Sequence, residues 1–316
     1  MKQPVIILTG PTAVGKTSLS IQLAKAIGGE IISADSMQVY RYMDIGTAKI
    51  TKEEMEGVPH YLIDELNPDD EFHVVRFQQM AKAAMRNIYE NGHIPIIVGG
   101  TGFYIQALLY DIDFSQSEDD TPYRIELTQF ANEHGAVALH NKLREIDPVS
   151  AHTIHPNNIK RVIRAIEYFE QNKRPISEHN QEQAQKESPY EFLYFVLTQD
   201  RKILYDRINQ RVEQMIEQGL EEEVKRLLAM GYTNDLVSMQ GIGYKEMIAY
   251  IQGRCTLEEA IDTLKRDTRH FAKRQLTWFK RERDVLWLSK ETYPSEQALL
   301  EQILTYAKNR NIIKEQ

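Results

Sequence analysis

Residues 10–17 read GPTAVGKT, between the apolar run Val5-Ile6-Ile7-Leu8 and the segment Ser18-Leu19-Ser20-Ile21. The stretch fits G-x-x-x-x-G-K-T, and it stands between a strand pattern and a helix pattern, the setting that a phosphate cradle requires. The glycines let backbone N–H groups turn inward around phosphate oxygens, and the helix N-terminus adds positive potential. Lys16 neutralises charge, and Thr17 is the candidate Mg2+ ligand. Gly10, Pro11, Thr12, Ala13, Val14, Gly15, Lys16 and Thr17 are therefore the candidate phosphate-binding residues.

The surroundings extend this reading. Val5–Thr9 is expected to be a buried strand and residues 17–27 a helix stopped by Gly28-Gly29, followed by strands at Glu30–Ser33 and Tyr61–Ile63. A helical pattern runs from Val74 to Tyr89, and Ile94–Val98 runs as a strand into Gly99-Gly100-Thr101-Gly102. Apolar strands alternating with helices indicate an α/β fold, a P-loop-type parallel sheet flanked by helices, with ligands at the carboxyl ends of the strands. From about residue 113 to 190 the strand signals vanish, polar and acidic residues crowd Ser115–Asp120, and helices are expected around 122–134 and 158–171. This reads as an inserted helical subdomain interrupting a core of residues 1–112 and 191–316. Phe192–Leu197 resumes the strand pattern. Helices are expected at 202–230, 244–251 and 257–283, the last opened by a Thr256/Glu259 capping box, with a final strand at Val285–Leu288. The polar run Glu178–Ser188 is the expected flexible piece.

Composition narrows the function classes. A chain of 316 residues with 42% hydrophobic content can bury a substantial core, and its single cysteine, Cys255, excludes an internal disulfide framework. No Cys/His cluster has metal-ligand spacing. The N-terminal apolar stretch is too short for a signal peptide, and no run approaches the roughly 18 apolar residues of a membrane span, so a soluble cytoplasmic protein is expected. The net charge of −8 argues against indiscriminate coating of nucleic acid. Basic residues nevertheless cluster locally. Lys265, Arg266, Arg269, Lys273, Arg274, Lys280, Arg281 and Arg283 lie among Phe271, Trp278 and Phe279, and Lys160, Arg161 and Arg164 form a second group below His152 and His155. The strand Ile94–Val98 ends in Gly-Gly where a nucleotide hydrolase usually offers a carboxylate; Asp64 and Asp35 are weaker candidates for that position. The cradle alone leaves the chemistry open.

Residues 33–49, SADSMQVYRYMDIGTAK, place Asp35 and Ser36 just past the second strand, facing the cradle. Together with GPTAVGKT and IIVGGTGFYI (96–105), this resembles the tRNA dimethylallyltransferases. HPNNIKRVIRAIE (155–167), LYDRINQRVEQMIEQGL (204–220), QGIGYKE (240–246) and TRHFAKRQLTWFKRE (268–282) resemble further blocks of that family in its order. The resemblance implies transfer of a dimethylallyl group from its diphosphate to N6 of adenosine 37, beside the anticodon of tRNA, with diphosphate as leaving group. It implies Asp35 as base, Thr101 as a catalytic contact, Lys16 on the diphosphate, and Arg207 or Arg211 as an arginine on the same group. It also implies tRNA contacts at Asp35, Ser36, Met37, Gln38, Thr101, Arg124, Ile159, Lys160, Arg161, Val162 and Ile163. Lys273 and Arg274 are candidate RNA contacts from the basic helix, which meets phosphates on one face. Mg2+ is the expected cofactor, with the anticodon stem-loop and dimethylallyl diphosphate as partners, no membrane partner, and a monomer.

Other readings of the same residues stay open. Asp35 could cap a helix or reach Mg2+ through water, Gly99–Gly102 could be a turn and N-cap, and Arg207 and Arg211, four apart, could be surface ion-pair residues. At the level of function the rivals are a small-molecule phosphotransferase with ATP in the cradle, a prenyltransferase acting on free adenylate, and a non-catalytic RNA-binding P-loop protein.

Overall fold

Strands β1 (Gln3–Thr9) and β4 (Ile94–Gly99) read as almost continuous apolar runs, and β2 (Gly29–Ala34) is buried along its whole length, because helices cover both faces of the sheet that contains them. The computed structural model describes residues 2–114 and 122–313; the expected acidic stretch Ser115–Asp120 lies outside them. With β3 (His60–Tyr61), β5 (Tyr190–Thr198) and β6 (Val285–Ser289) the strands form one six-stranded sheet in the order β3-β2-β4-β1-β5-β6. Every pairing is parallel, with Leu8 opposite Val98 on one side and Phe195 on the other.

The pleat sends alternate side chains to opposite faces. Ile6, Leu8, Ile96 and Phe195 pack with Leu19 and Leu23 of α1 (Lys16–Ile27) and with Leu299 and Ile303 of the C-terminal helix, residues 296–309. Val5, Ile7 and Ile97 face Met85 of α2 (Val74–Glu90) and Ile105 and Leu108 of α3 (Gly102–Leu109). The sheet is thus a middle layer between two helical layers, as its sequence pattern predicts.

The chain divides into two compact units, Met1–Leu109 with Pro189–Gln316, and Tyr110–Ser188. The second unit is built from α4 (Pro122–His134), α5 (Ala136–Ile146), α6 (Pro148–Thr153), α7 (Ile159–Asn172) and α8 (Ile176–Gln185). Leu127, Leu139, Leu143, Val162 and Ile166 form its core. Buried Asp147 ties it together, accepting from the backbone N–H and hydroxyl of both Ser150 and Ser177. The run Glu178–Ser188, expected to be flexible, is helical as far as Gln185.

Back in the first unit, the expected single helix 202–230 is two helices, α9 (Arg201–Glu217) and α10 (Leu220–Ala229). The break falls at Gly219, whose φ of 95° is a left-handed conformation that glycine adopts without a Cβ clash. Helix α11 (Tyr244–Ile251) and helix α12 (Leu257–Phe279), opened by the Thr256/Glu259 box, follow; α13 (Glu296–Asn309) closes the chain. The expected strand Tyr61–Ile63 shortens to His60–Tyr61, because Leu62 turns to a positive φ of 63°. Among the described residues no helix is long and apolar enough to cross a membrane.

Candidate active site

Successive carboxyl ends of the parallel strands deliver the chemistry. β1 ends at Thr9, and the chain turns through residues 10–15 into α1, with Gly15 as its N-cap at φ 92°. Ala13 holds a positive φ of 64°, a strained conformation for a residue with a Cβ and one that clusters at functional loops. Lys16 donates from Nζ to the carbonyls of Gly10 (3.0 Å) and Pro11 (2.9 Å), so its ammonium lies over the loop. Thr17 is exposed at the first turn.

β2 ends at Ala34 and presents Asp35. One carboxylate oxygen accepts from the backbone N–H of Met37 at 2.8 Å, a tight turn that holds the side chain in place. Burial raises the Asp35 pKa, against the opposing pull of the Met37 amide and the Lys16 charge. β4 ends at Gly99, and the Thr101 N–H donates to the Ala34 carbonyl at 3.2 Å. Thr101 is thereby bonded to the residue preceding Asp35.

β5 leads into α9, which carries the arginines. Burial lowers the Arg211 pKa, Arg207 lowers it further, and Glu54 and Asp35 oppose them. Burial brings the Lys16 pKa down to about 8, helped by Arg211 and opposed by Asp35. Arg207 donates from Nη1 to Gln199 Oε1 at 3.3 Å, and its Nη2 would lie 3.4 Å from a Cβ placed on Gly15. Arg207 thus reaches the N-cap of the cradle, and Arg211 lies within electrostatic reach of Lys16 and Asp35.

The sequence reading overlooked the residues that hold these loops in register. Buried Gln275 of α12 accepts from the Thr12 N–H at 2.9 Å and donates to the Gly100 carbonyl at 3.0 Å. One amide thus clamps the cradle to the Thr101 loop. Buried Glu223 of α10 accepts from the N–H groups of Asp44 (3.0 Å), Ile45 (2.8 Å) and Gly46 (3.1 Å) and from the Tyr244 hydroxyl (2.7 Å). The loop so held supplies the carbonyls of Thr47 and Ala48 that face Gln38 Nε2 at 3.4 and 3.3 Å. Asp64 is instead paired with Lys49 at 2.6 Å, which assigns it to loop structure.

This architecture has known counterparts. The model of the IPP transferase family matches residues 38–282. The chain belongs to that family. Among curated relatives, the tRNA dimethylallyltransferase of Lachnoclostridium phytofermentans is 63% identical over 312 residues, covering 99% of this chain and 100% of that protein. The tRNA dimethylallyltransferase of Acetivibrio thermocellus is 50% identical, covering 96% of each. A crystal structure of the tRNA isopentenylpyrophosphate transferase from Bacillus halodurans matches with a TM-score of 0.72 and 46% identity over 98% of both chains. A eukaryotic dimethylallyltransferase acting on tRNA matches with a TM-score of 0.85 and 30% identity, over 99% of this chain and 81% of that one.

Within this family member the basic helix is not uniform. Lys265 pairs with Glu213 at 2.8 Å, Arg266 with Asp267 at 3.2 Å, and Arg269 donates to Asn209 at 2.6 Å. Lys273, Arg274, Lys280 and Arg281 are exposed. His270, Lys273, Arg274, Thr277, Trp278 and Arg281 line a cavity of about 340 Å³. In the helical unit Lys160, Arg161 and Arg164 are exposed and Ile159 is half-buried, whereas Val162 and Ile163 are core residues. Val162 and Ile163 thus pack into the core of the helical unit and fix the placement of their basic neighbours. Arg124 donates from Nε and Nη2 to one carboxylate oxygen, Oε2, of buried Glu167, at 2.9 and 2.6 Å. Among the described residues no group of three or more His, Cys, Asp or Glu could hold a metal ion. Thr17, exposed in the first turn of α1 directly after Lys16, has a hydroxyl that suits Mg2+, which dehydrates reluctantly and is commonly held through substrate phosphates with few protein ligands.

Proposed function

We propose that the protein transfers the dimethylallyl group of dimethylallyl diphosphate to N6 of adenosine 37, next to the anticodon of tRNA, releasing diphosphate. The observation that carries this reading is a cationic phosphate cradle at the carboxyl end of β1 and a carboxylate of raised pKa, Asp35, at the carboxyl end of β2, with β4 and its Thr101 loop between them. A phosphotransferase can pair the same cradle with a carboxylate base; the family match and the tRNA-modifying relatives favour prenyl transfer.

In this reading the donor diphosphate lies in the loop of residues 10–17, contacted by backbone N–H groups, Lys16, Arg207 and Arg211. Adenine N6 is a weak nucleophile because its lone pair is delocalised into the ring. As its bond to the allylic carbon forms, the carbon–oxygen bond of the donor breaks and the electron pair leaves with the diphosphate. Asp35 takes the N6 proton, and burial makes its carboxylate a stronger base than a free aspartate. Cations and amides fixed in advance stabilise the growing charge on the leaving group without reorganisation. Thr101, tethered to Ala34, positions the reacting amine. Mg2+, held by Thr17 and the diphosphate, would supply further charge neutralisation.

Ser36, Met37 and Gln38 read the extruded base, since a base inside a stacked loop must leave the stack to be modified. Lys160, Arg161, Arg124, Lys273 and Arg274 engage the anticodon stem-loop, where phosphate contacts position the RNA and pocket contacts specify it. The test is one labelled assay with Mg2+, radiolabelled dimethylallyl diphosphate and unmodified tRNA, run beside AMP in place of tRNA and beside Asp35→Ala. Label in tRNA that is largely lost in the variant is the expected result. Label in AMP assigns the protein to free adenylate, and ATP consumption without label transfer overturns the reading.

A further inference from the structure

β6 ends at Ser289, and Lys290 opens the short 3-10 turn Lys290–Thr292 at the same edge of the sheet as the cradle. No phosphate-binding motif contains it. Its neighbour Glu291 fixes the turn, accepting from the Asp200 N–H at 2.8 Å and from the Ser289 hydroxyl at 2.7 Å. A Cβ placed on Gly15 would stand 2.9 Å from Lys290 Nζ and 3.4 Å from Arg207 Nη2. An ammonium from β6 and a guanidinium from α9 thus meet over the residue that caps α1.

Only 17% of the Lys290 side chain is exposed, and its ionic partner, Glu296 of α13, stands at 3.4 Å, a loose contact. Glu296 also accepts from Gln22 at 3.2 Å. Two cations beside the positive end of a helix repel one another and the helix dipole, an arrangement that a multiply charged anion relieves. The separation of Lys290 from the motif in sequence is bridged by the parallel order of β1, β5 and β6.

We propose that Lys290 is a further diphosphate-binding residue of the donor site, with Glu296 as the carboxylate that the diphosphate displaces. This rests on the reading of the cradle as the donor site. Lys290 acts on the charge of the leaving group at the N-cap of α1 and has no part in binding RNA.

The test uses the full chain and inorganic diphosphate as probe. Calorimetric Kd values are compared for the wild type, Lys290→Met, Lys290→Arg, Glu296→Gln and Lys16→Met, together with KM for dimethylallyl diphosphate and for tRNA. Lys290→Met should weaken diphosphate binding and raise the donor KM by about tenfold, the usual worth of one charge-assisted contact. The tRNA KM should stay put, Lys290→Arg should recover most of the loss, and Glu296→Gln should tighten the diphosphate. If Lys16→Met abolishes binding while Lys290→Met leaves Kd and donor KM unchanged, or if Lys290→Met and Glu296→Gln merely lower Tm alike, Lys290 is a structural ion-pair residue and the proposal fails. If the wild type binds no diphosphate and Lys16→Met changes nothing, the donor-site reading itself falls and takes the proposal with it.

Discussion

Asp35 and Lys16 are the residues whose titration the fold alters most usefully. Because burial raises the Asp35 pKa, the acidic limb of kcat/KM should lie above the ordinary aspartate value of about 3.9. Asp35→Asn should remove that limb and lower kcat by about a hundredfold to ten-thousandfold, the range for loss of a positioned base. A pH–rate profile of both proteins checks this. Lys16, brought down to about 8 by burial and Arg211, should release diphosphate as pH rises through that value. Lys16→Arg, which stays charged, should show a flatter calorimetric profile. The sign for stability is opposite. Between about 8 and the ordinary 10.5 the folded chain holds fewer protons than the unfolded one, so stability without ligand should rise with pH across that window. Asp35, Lys16 and Thr101 were legible in the sequence because each stands in a short run whose residue types serve one local geometry. Gln275 was not, because its partners Thr12 and Gly100 are 263 and 175 residues away and no local pattern encodes such a contact.

Helices α9 and α10 show what a pattern of apolar positions leaves out. Their apolar residues keep a helical period across the break, so the segment reads as one helix until the φ of 95° at Gly219 is seen. Gly219→Ala should cost about 1–2 kcal/mol, the penalty of a left-handed residue carrying a Cβ. Urea denaturation of the variant measures it. The short or polar helices α5, α6 and α8 escaped the reading for a related reason: much of their stability comes from packing around Leu139, Leu143 and Asp147, not from propensity. Along α12 the basic residues divide between internal pairs and exposed groups. Replacing Lys273 and Arg274 together by alanine should weaken tRNA binding and flatten its dependence on salt by roughly one unit of slope per lost phosphate contact. Diphosphate binding should not change. Filter binding over a salt series separates the two.

Over the whole molecule, distant segments fix one another through single buried groups. Glu223 of α10 satisfies three backbone N–H groups at residues 44–46 together with the Tyr244 hydroxyl. Glu223→Ala leaves those donors buried without an acceptor and should destabilise the chain by about 3 kcal/mol or more. Chemical unfolding gives the loss, and a raised KM for tRNA should accompany it, since the same loop braces Gln38. The doubly wound sheet was legible from its apolar strands and glycine turns; the bracing was not, because a buried glutamate looks like any other in the charged first turn of a helix.

The strand order also sets a timetable. β1 is synthesised first, yet its neighbours are β4 and β5, which begin at Ile94 and Tyr190, and the sheet is finished only by β6 at Val285. Between β4 and β5 the chain makes a compact unit of its own, with a core of Leu127, Leu139, Leu143, Val162 and Ile166, before the rest of the sheet is made. A ribosome must therefore have released nearly the entire chain before the phosphate loop gains its last wall. Prematurely terminated products therefore carry the phosphate-loop motif without the β5 and β6 strands that complete the sheet beside it.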